Sequence, residues 1–365
     1  MAARVLLVLL VLALTGCTTV AGTARPTTGA PTDGPTATPR PTASPRPATP
    51  APTPLPLPSL DPTAAQTWFA PNMGSLDYPD LFRTPDRWAT ARERVDVLQF
   101  YANALSGDPF DIGGSNVLDT FVAVDAFARL HEWGIATAIE AGVIKFFACD
   151  HDSWAEYAIN AITNVEANGG RVSFLAMDEP LLGGQLIENG QTCGYTLEQA
   201  AAEVADFGVA VRAVHPDVAI GTIETIPPQT PAEMIAWIEA LEAAGARPAF
   251  LHLDVEVALG VEDPAFLAGI RQVRDFSEAR GIPFGLILTA DWQRADSDAG
   301  YYASVVDWAK AIEAGMGRPT HVVVQSWIGP APSGLHEMPI NLPDDDPATF
   351  SHTRLIVEAL GAFGT

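Results

Sequence analysis

Along residues 61–365, short apolar runs alternate with stretches whose apolar positions recur every three to four residues. The strand-like runs fall at 68–72, 95–102, 135–140, 172–178, 218–225, 249–256, 283–290 and 321–328, which predicts eight strands. Between them, 118–133, 197–214 and 265–280 carry the helical period. Thr196 to Gln199 and Thr230 to Glu233 read as capping boxes, and Asp263-Pro264 and Asp346-Pro347 as helix starts of the same kind. Gly169-Gly170, Gly245 and Gly281 stand where helices should stop, each just ahead of a strand.

Strand and helix alternating eight times over about 300 residues predicts an α/β protein of the (β/α)8 TIM-barrel class. A doubly wound open sheet is the alternative. Such a sheet would normally carry a glycine-rich phosphate loop after an early strand, and the sequence has neither G-x-G-x-x-G nor a P-loop.

The chain ahead of the barrel follows a different pattern. Arg4 precedes an apolar run from Val5 to Leu14, short for a membrane span and suited to a secretory signal. It ends in Leu14-Thr15-Gly16-Cys17, which resembles a bacterial lipobox with Cys17 as the lipidated residue. Residues 18–60 then hold twelve of the 31 prolines among Thr, Ala and Gly. With nothing to bury, they are expected to form a disordered Pro/Thr-rich tether. The expected organisation is a signal peptide over 1–17, a linker over 18–60 and a barrel over 61–365. The expected location is extracytoplasmic, with the membrane reached only through the lipid anchor.

Charge narrows the partners. Residues 1–60 hold four arginines and one aspartate, a net +3, so the chain's −24 leaves −27 on the rest. That balance disfavours nucleic acid and anionic lipid. A monomer is expected. Beyond Cys17 there are two cysteines, Cys149 and Cys193, and in an oxidising compartment they are expected to pair. They follow strands 3 and 4, so a bridge would pin the 181–195 loop over the working face.

In a barrel of this class that face lies at the C-terminal strand ends. Here those ends supply Gln99, Tyr101 and Asn103, then Glu140, then Asp178 and Glu179, then Glu224. Strand 6 follows with His252, Asp254 and Glu256, strand 7 with Asp291 and Trp292, and strand 8 with Gln325 and Trp327. One charged strand end is an ordinary start to a solvated loop. Acids closing strands 3 to 7 form a cluster that cannot ionise all at once, which is the means of holding one carboxyl protonated for general acid catalysis. Tyr101, Trp292 and Trp327 would add flat faces for sugar rings.

These residues carry a resemblance. Asp178-Glu179-Pro180 after strand 4, with Trp327 in Gln-Ser-Trp after strand 8, resembles the large clan of (β/α)8 glycoside hydrolases that read Asn-Glu-Pro at the first position. The resemblance spans about residues 65–363 and implies an exported enzyme that cleaves an O-glycosidic bond, with Glu179 as acid/base and no cofactor. Two departures stand against a direct transfer of mechanism: Asp178 replaces the asparagine, and strand 7 offers Asp291 where the clan has a glutamate nucleophile. An Asp-Glu pair also resembles the N-acetylhexosaminidases, in which the aspartate orients the substrate's own acetamido group. Inversion is the third route, with Glu256, Asp254 or Glu224 activating water. Two rivals belong to other classes. One is a catalytically silent glycan-binding barrel. The other is a metal-dependent sugar-converting barrel using His252, Asp254, Glu256, Glu224 and Glu179.

Overall fold

A computed structural model describes residues 60, 63–72, 75–106, 117–187, 190–255, 263–291, 295–326 and 340–364. Cys17, Glu256, Trp292 and Trp327 lie outside the described residues, as do the signal and almost all of the linker. Eight strands close into one parallel barrel in chain order: β1 Gln66–Ala70, β2 Val97–Tyr101, β3 Ala136–Gly142, β4 Val172–Asp178, β5 Ala219–Ile226, β6 Leu251–Val255, β7 Phe284–Leu288 and β8 His321–Gln325. β1 closes the ring against β8 over five residue pairs, from Gln66 opposite His321 to Ala70 opposite Gln325.

Three sequence expectations shift locally. β1 lies two residues earlier than the apolar run 68–72, because Pro71 offers no N–H to a ladder. The helix expected over 118–133 is two helices, Val117–Ala123 and Ala126–Trp133, broken at Asp125 with φ 53°. Asp346-Pro347 opens a turn and no helix: Asp346 accepts from the Ala348 N–H and the Thr349 hydroxyl. The last helix, His352–Ala362, starts six residues later on a Ser351 cap. Both capping boxes form as expected, at Thr196 with Gln199 and at Thr230 with Glu233.

Two apolar layers hold the structure. The larger lies between strands and helices and includes Phe69, Leu98, Leu175, Met177, Leu251 and Trp308. The smaller fills the barrel itself, with Trp68, Val97, Ala138, Phe174, Phe250, Ile287 and Val323. Strand alternation therefore assigns direction: on β4, Phe174 and Ala176 point in, Leu175 and Met177 point out, and Asp178 comes in at the top.

Candidate active site

The last inward positions of β2, β3, β4 and β8 replace hydrocarbon with polar groups. Glu140 of β3 is buried there, and its Oε2 accepts from Gln99 Nε2 at 2.6 Å and from Gln325 Nε2 at 2.9 Å. Gln325 Nε2 also donates to the Tyr101 hydroxyl at 2.9 Å. Burial raises the Glu140 pKa well above the carboxylate range and the charge of Asp178 raises it further, against the Gln325 hydrogen bond and Lys145. Gln99, Tyr101, Glu140 and Gln325 thus form one hydrogen-bonded floor to the barrel mouth.

Beside it stands the acidic pair. Asp178 closes β4 and makes a 2.7 Å ion pair with Lys145 Nζ. Glu179 follows with φ 49° and ψ 49°, a left-handed conformation that a side chain adopts at a cost of about 1 kcal/mol or more. That turn ends the in-and-out alternation of β4 and starts the helix Pro180–Gln185, with Pro180 at its first position. Burial pushes the Glu179 pKa up to about 7, with repulsion from Asp178 adding to it and Lys145 opposing it. Lys145 is itself disfavoured by burial, but the charges of Asp178 and Glu179 outweigh this and raise its pKa, so it stays an ammonium.

Lys145 is the charged group beside the pair that the strand-end reading missed, because it lies five residues past Glu140 in the β3 loop. A signal was present in the sequence: the chain has only two lysines, Lys145 and Lys310, among 20 basic residues. The β3 loop that carries it is tightly held. Lys145 and Ala148 exchange backbone hydrogen bonds of 3.1 and 2.8 Å. Cys149 is joined to Cys193 by a disulfide, the pairing expected from the sequence. The Tyr195 hydroxyl donates to the Cys149 carbonyl at 3.2 Å, and the Trp154 indole to that of Ala148 at 3.0 Å. Gly183 completes the contact, since a Cβ there would fall 1.9 Å from the Ile144 carbonyl oxygen.

Two expected mouth residues sit elsewhere. Glu224 is 0% exposed, and it points outward. Ile223 fills the barrel, so Glu224 shares the opposite face of β5 with Ile220 and Ile226. Its Oε1 accepts from the Leu181 N–H at 3.2 Å and the Thr222 hydroxyl at 3.3 Å, which caps the short helix behind Glu179. Burial raises its pKa well above the usual range, the Leu181 bond opposes this, and Glu179 adds to it. A sealed carboxyl of this kind cannot activate a substrate water. His252 points inward but one layer too low. It packs edge-on against Trp68 at 4.7 Å, and its Nε2 lies 2.9 Å from His321 Nδ1. Burial, and then His321, hold its pKa well below the ordinary value. It is a core histidine and not a mouth ligand.

The remaining positions are on the working side. Asp254 is half-buried, opposite Thr225 in register, and Asp291 is half-buried just past β7, its N–H donating to Ser304 Oγ at 2.8 Å. Asn103 is half-buried in the helix Ala102–Leu105, its Oδ1 without a hydrogen bond. Among the described residues no three His, Cys, Asp or Glu side chains are grouped so as to hold a metal ion.

No protein-family model and no curated protein sequence matches the chain. Solved structures do. An endo-beta-1,4-mannanase double mutant from Cellulomonas fimi shares 12% identity over 83% of this chain and 74% of its own, with a TM-score of 0.50. Native xylanase10C from Cellvibrio japonicus shares 14% identity over 83% and 71%, also at 0.50. A glucosidase from Croceicoccus marinus shares 16% identity at a TM-score of 0.46, and this chain spans 59% of its length. The similarity is one of fold. These neighbours are glycoside hydrolases by name, and at such identities they establish the barrel alone.

Proposed function

We propose that the protein is an exported glycoside hydrolase, anchored through Cys17, in which Glu179 is the general acid. The observation that carries this reading is the Asp178–Glu179 pair: two adjacent carboxyls at the C-terminal end of β4, one in an ion pair with Lys145 at 2.7 Å, the other with its pKa pushed up to about 7 by burial. Protonated acid beside ionised acid is what cleavage of a glycosidic bond needs. Glu179 gives its proton to the leaving oxygen. The Asp178 charge favours the positive character that develops on the sugar. Asp254 and Asp291, half-buried on the working side, are the candidates for the second catalytic group, and the floor of Gln99, Glu140, Gln325 and Tyr101 offers hydrogen bonds to hydroxyls.

The test is reducing-sugar release by the wild-type protein and Glu179→Gln on a panel of polysaccharides and aryl glycosides, with and without EDTA. Activity that the substitution abolishes and EDTA leaves alone supports the reading. Loss with EDTA transfers the chemistry to a metal. Glycan binding that is equal in both proteins, without turnover, makes the barrel a binder. Incorporation of labelled fatty acid into the wild type and not into Cys17→Ser tests the anchor.

A further inference from the structure

Among the described residues one ammonium, that of Lys145, stands beside the Asp178–Glu179 pair, on a loop held from several sides. From this geometry we infer that Lys145 is a positioning residue: its ion pair with Asp178 leaves Glu179 as the proton carrier, and the Cys149–Cys193 disulfide holds it there. The inference rests on the reading of Glu179 as the acid and names what controls it.

Two adjacent carboxyls in a shared, poorly solvated site cannot both ionise cheaply, and by themselves they leave open which one keeps the proton. Lys145 breaks that symmetry. Its Nζ is 2.7 Å from Asp178 Oδ2, and the described contacts give it no such bond to Glu179. Among the described residues, Glu140 from β3, Glu224 from β5 and Lys145 act on the pair. The two glutamates disfavour a further negative charge, and the lysine offsets it.

The loop leaves the lysine little freedom. Its carbonyl and N–H are both bonded to Ala148, one residue from Cys149. Cys193 Sγ, on the far side of the bridge, lies 3.4 Å from the Lys145 carbonyl oxygen. The bridge spans 44 residues of sequence, and between its two ends lies β4 with the pair itself. Reduction would therefore release the Lys145 turn from the helix Pro180–Gln185 and the segment after it. The pair then loses its fixed counter-charge.

The experiment is a carboxyl-carbon NMR titration of the full chain labelled at glutamate, the Glu179 signal being assigned by its absence in Glu179→Gln. It needs no substrate. An inactive protein would therefore overturn the glycosidase reading while the titration still judged Lys145. In Lys145→Met the Glu179 midpoint should move up by about one pH unit or more, and in Lys145→Arg, which keeps the charge, it should stay near the wild-type value. If the protein is a glycosidase, the alkaline limb of its pH profile moves with the midpoint. An unchanged midpoint in Lys145→Met overturns the inference, as does an equal shift in both variants, which would point to packing. The C149S/C193S double variant should shift the midpoint in the same direction by less, and it decides the matter if Lys145→Met does not fold. No shift there overturns the role of the bridge.

Discussion

The lower and upper layers of the barrel interior are built from inward-facing positions of one ring of strands, and they have opposite chemistry. In the lower layer, Trp68 packs against Phe174 at 5.0 Å, Phe250 at 5.1 Å and His252 at 4.7 Å between ring centres. A few residues further along the strands the inward positions are Tyr101, Glu140, Asp178 and Gln325. The lower layer gains from leaving water. The upper layer gives up solvation, and the cost appears in the raised pKa values of Glu140 and Glu179. The lesson is that the site is defined by height along the strand. An inward-facing ionisable residue means chemistry only in the top layer, and His252, one layer down, shows the converse.

The largest effects should separate the two layers outright. If the protein is the glycosidase proposed, Glu179→Gln is expected to lower turnover by about 100- to 10,000-fold, the range for a lost general acid, while leaving the fold intact. Trp68→Ala should do the reverse. Emptying that much of the barrel interior is expected to cost about 3–5 kcal/mol of stability, seen as a lower urea midpoint, with the Glu179 titration of the surviving folded protein unchanged. A Trp68→Ala protein with normal stability would break the comparison from below, and an active Glu179→Gln would break it from above.

Next in size is the pH dependence of stability, where the layers should act in opposite directions. The folded pKa of Glu179, about 7, lies above its ordinary 4.5. Its contribution is therefore fully present below pH 4.5 and is lost as pH rises through 7, amounting to up to about 3 kcal/mol. The histidine shifts have the other sign. His252 is depressed below its ordinary 6.5, and burial lowers His352 to about 3. Their contributions are present above pH 6.5 and are lost as the solution is acidified. Urea unfolding from pH 4 to 9 should thus show an alkaline decline that Glu179→Gln reduces, the raised Glu140 and Glu224 supplying the rest, and an acid decline that it leaves in place. If both limbs respond to Glu179→Gln, the layers are not independent.

The fold was legible in the sequence because strand and helix periods, capping boxes and glycine stops all agreed. β4 was especially clear: an apolar run cut off by Asp178, Glu179 and Pro180 marks both the strand end and the mouth. Direction on β5 was not legible. A strand in a parallel barrel is buried on both faces, so Ile220, Gly221, Thr222, Ile223 and Glu224 carry no polar–apolar alternation to say which face is which. Lys145 was hidden for a different reason. It acts from a loop, and its position depends on a disulfide and on Gly183, contacts made across the space between two βα loops.

The smallest predicted effect tests that misreading directly. Glu224 and Glu179 are both displaced carboxyls near the end of β4, and a pKa alone would not tell them apart; contact does. Glu224 faces the Leu181 N–H and Thr222 from the far side of the sheet. Glu224→Gln keeps an acceptor for that N–H, so turnover should stay within about threefold of wild type, in contrast to Glu179→Gln. Glu224→Ala leaves the buried N–H unpaired and should cost about 1–3 kcal/mol, read as a lower urea midpoint. Because the lost bond anchors the helix that follows Glu179, some turnover should fall with it, and Gln at the same position should restore it. A Glu224→Gln protein that folds normally and is as inactive as Glu179→Gln would return Glu224 to the catalytic groups, and the outward face of β5 would have to open during turnover.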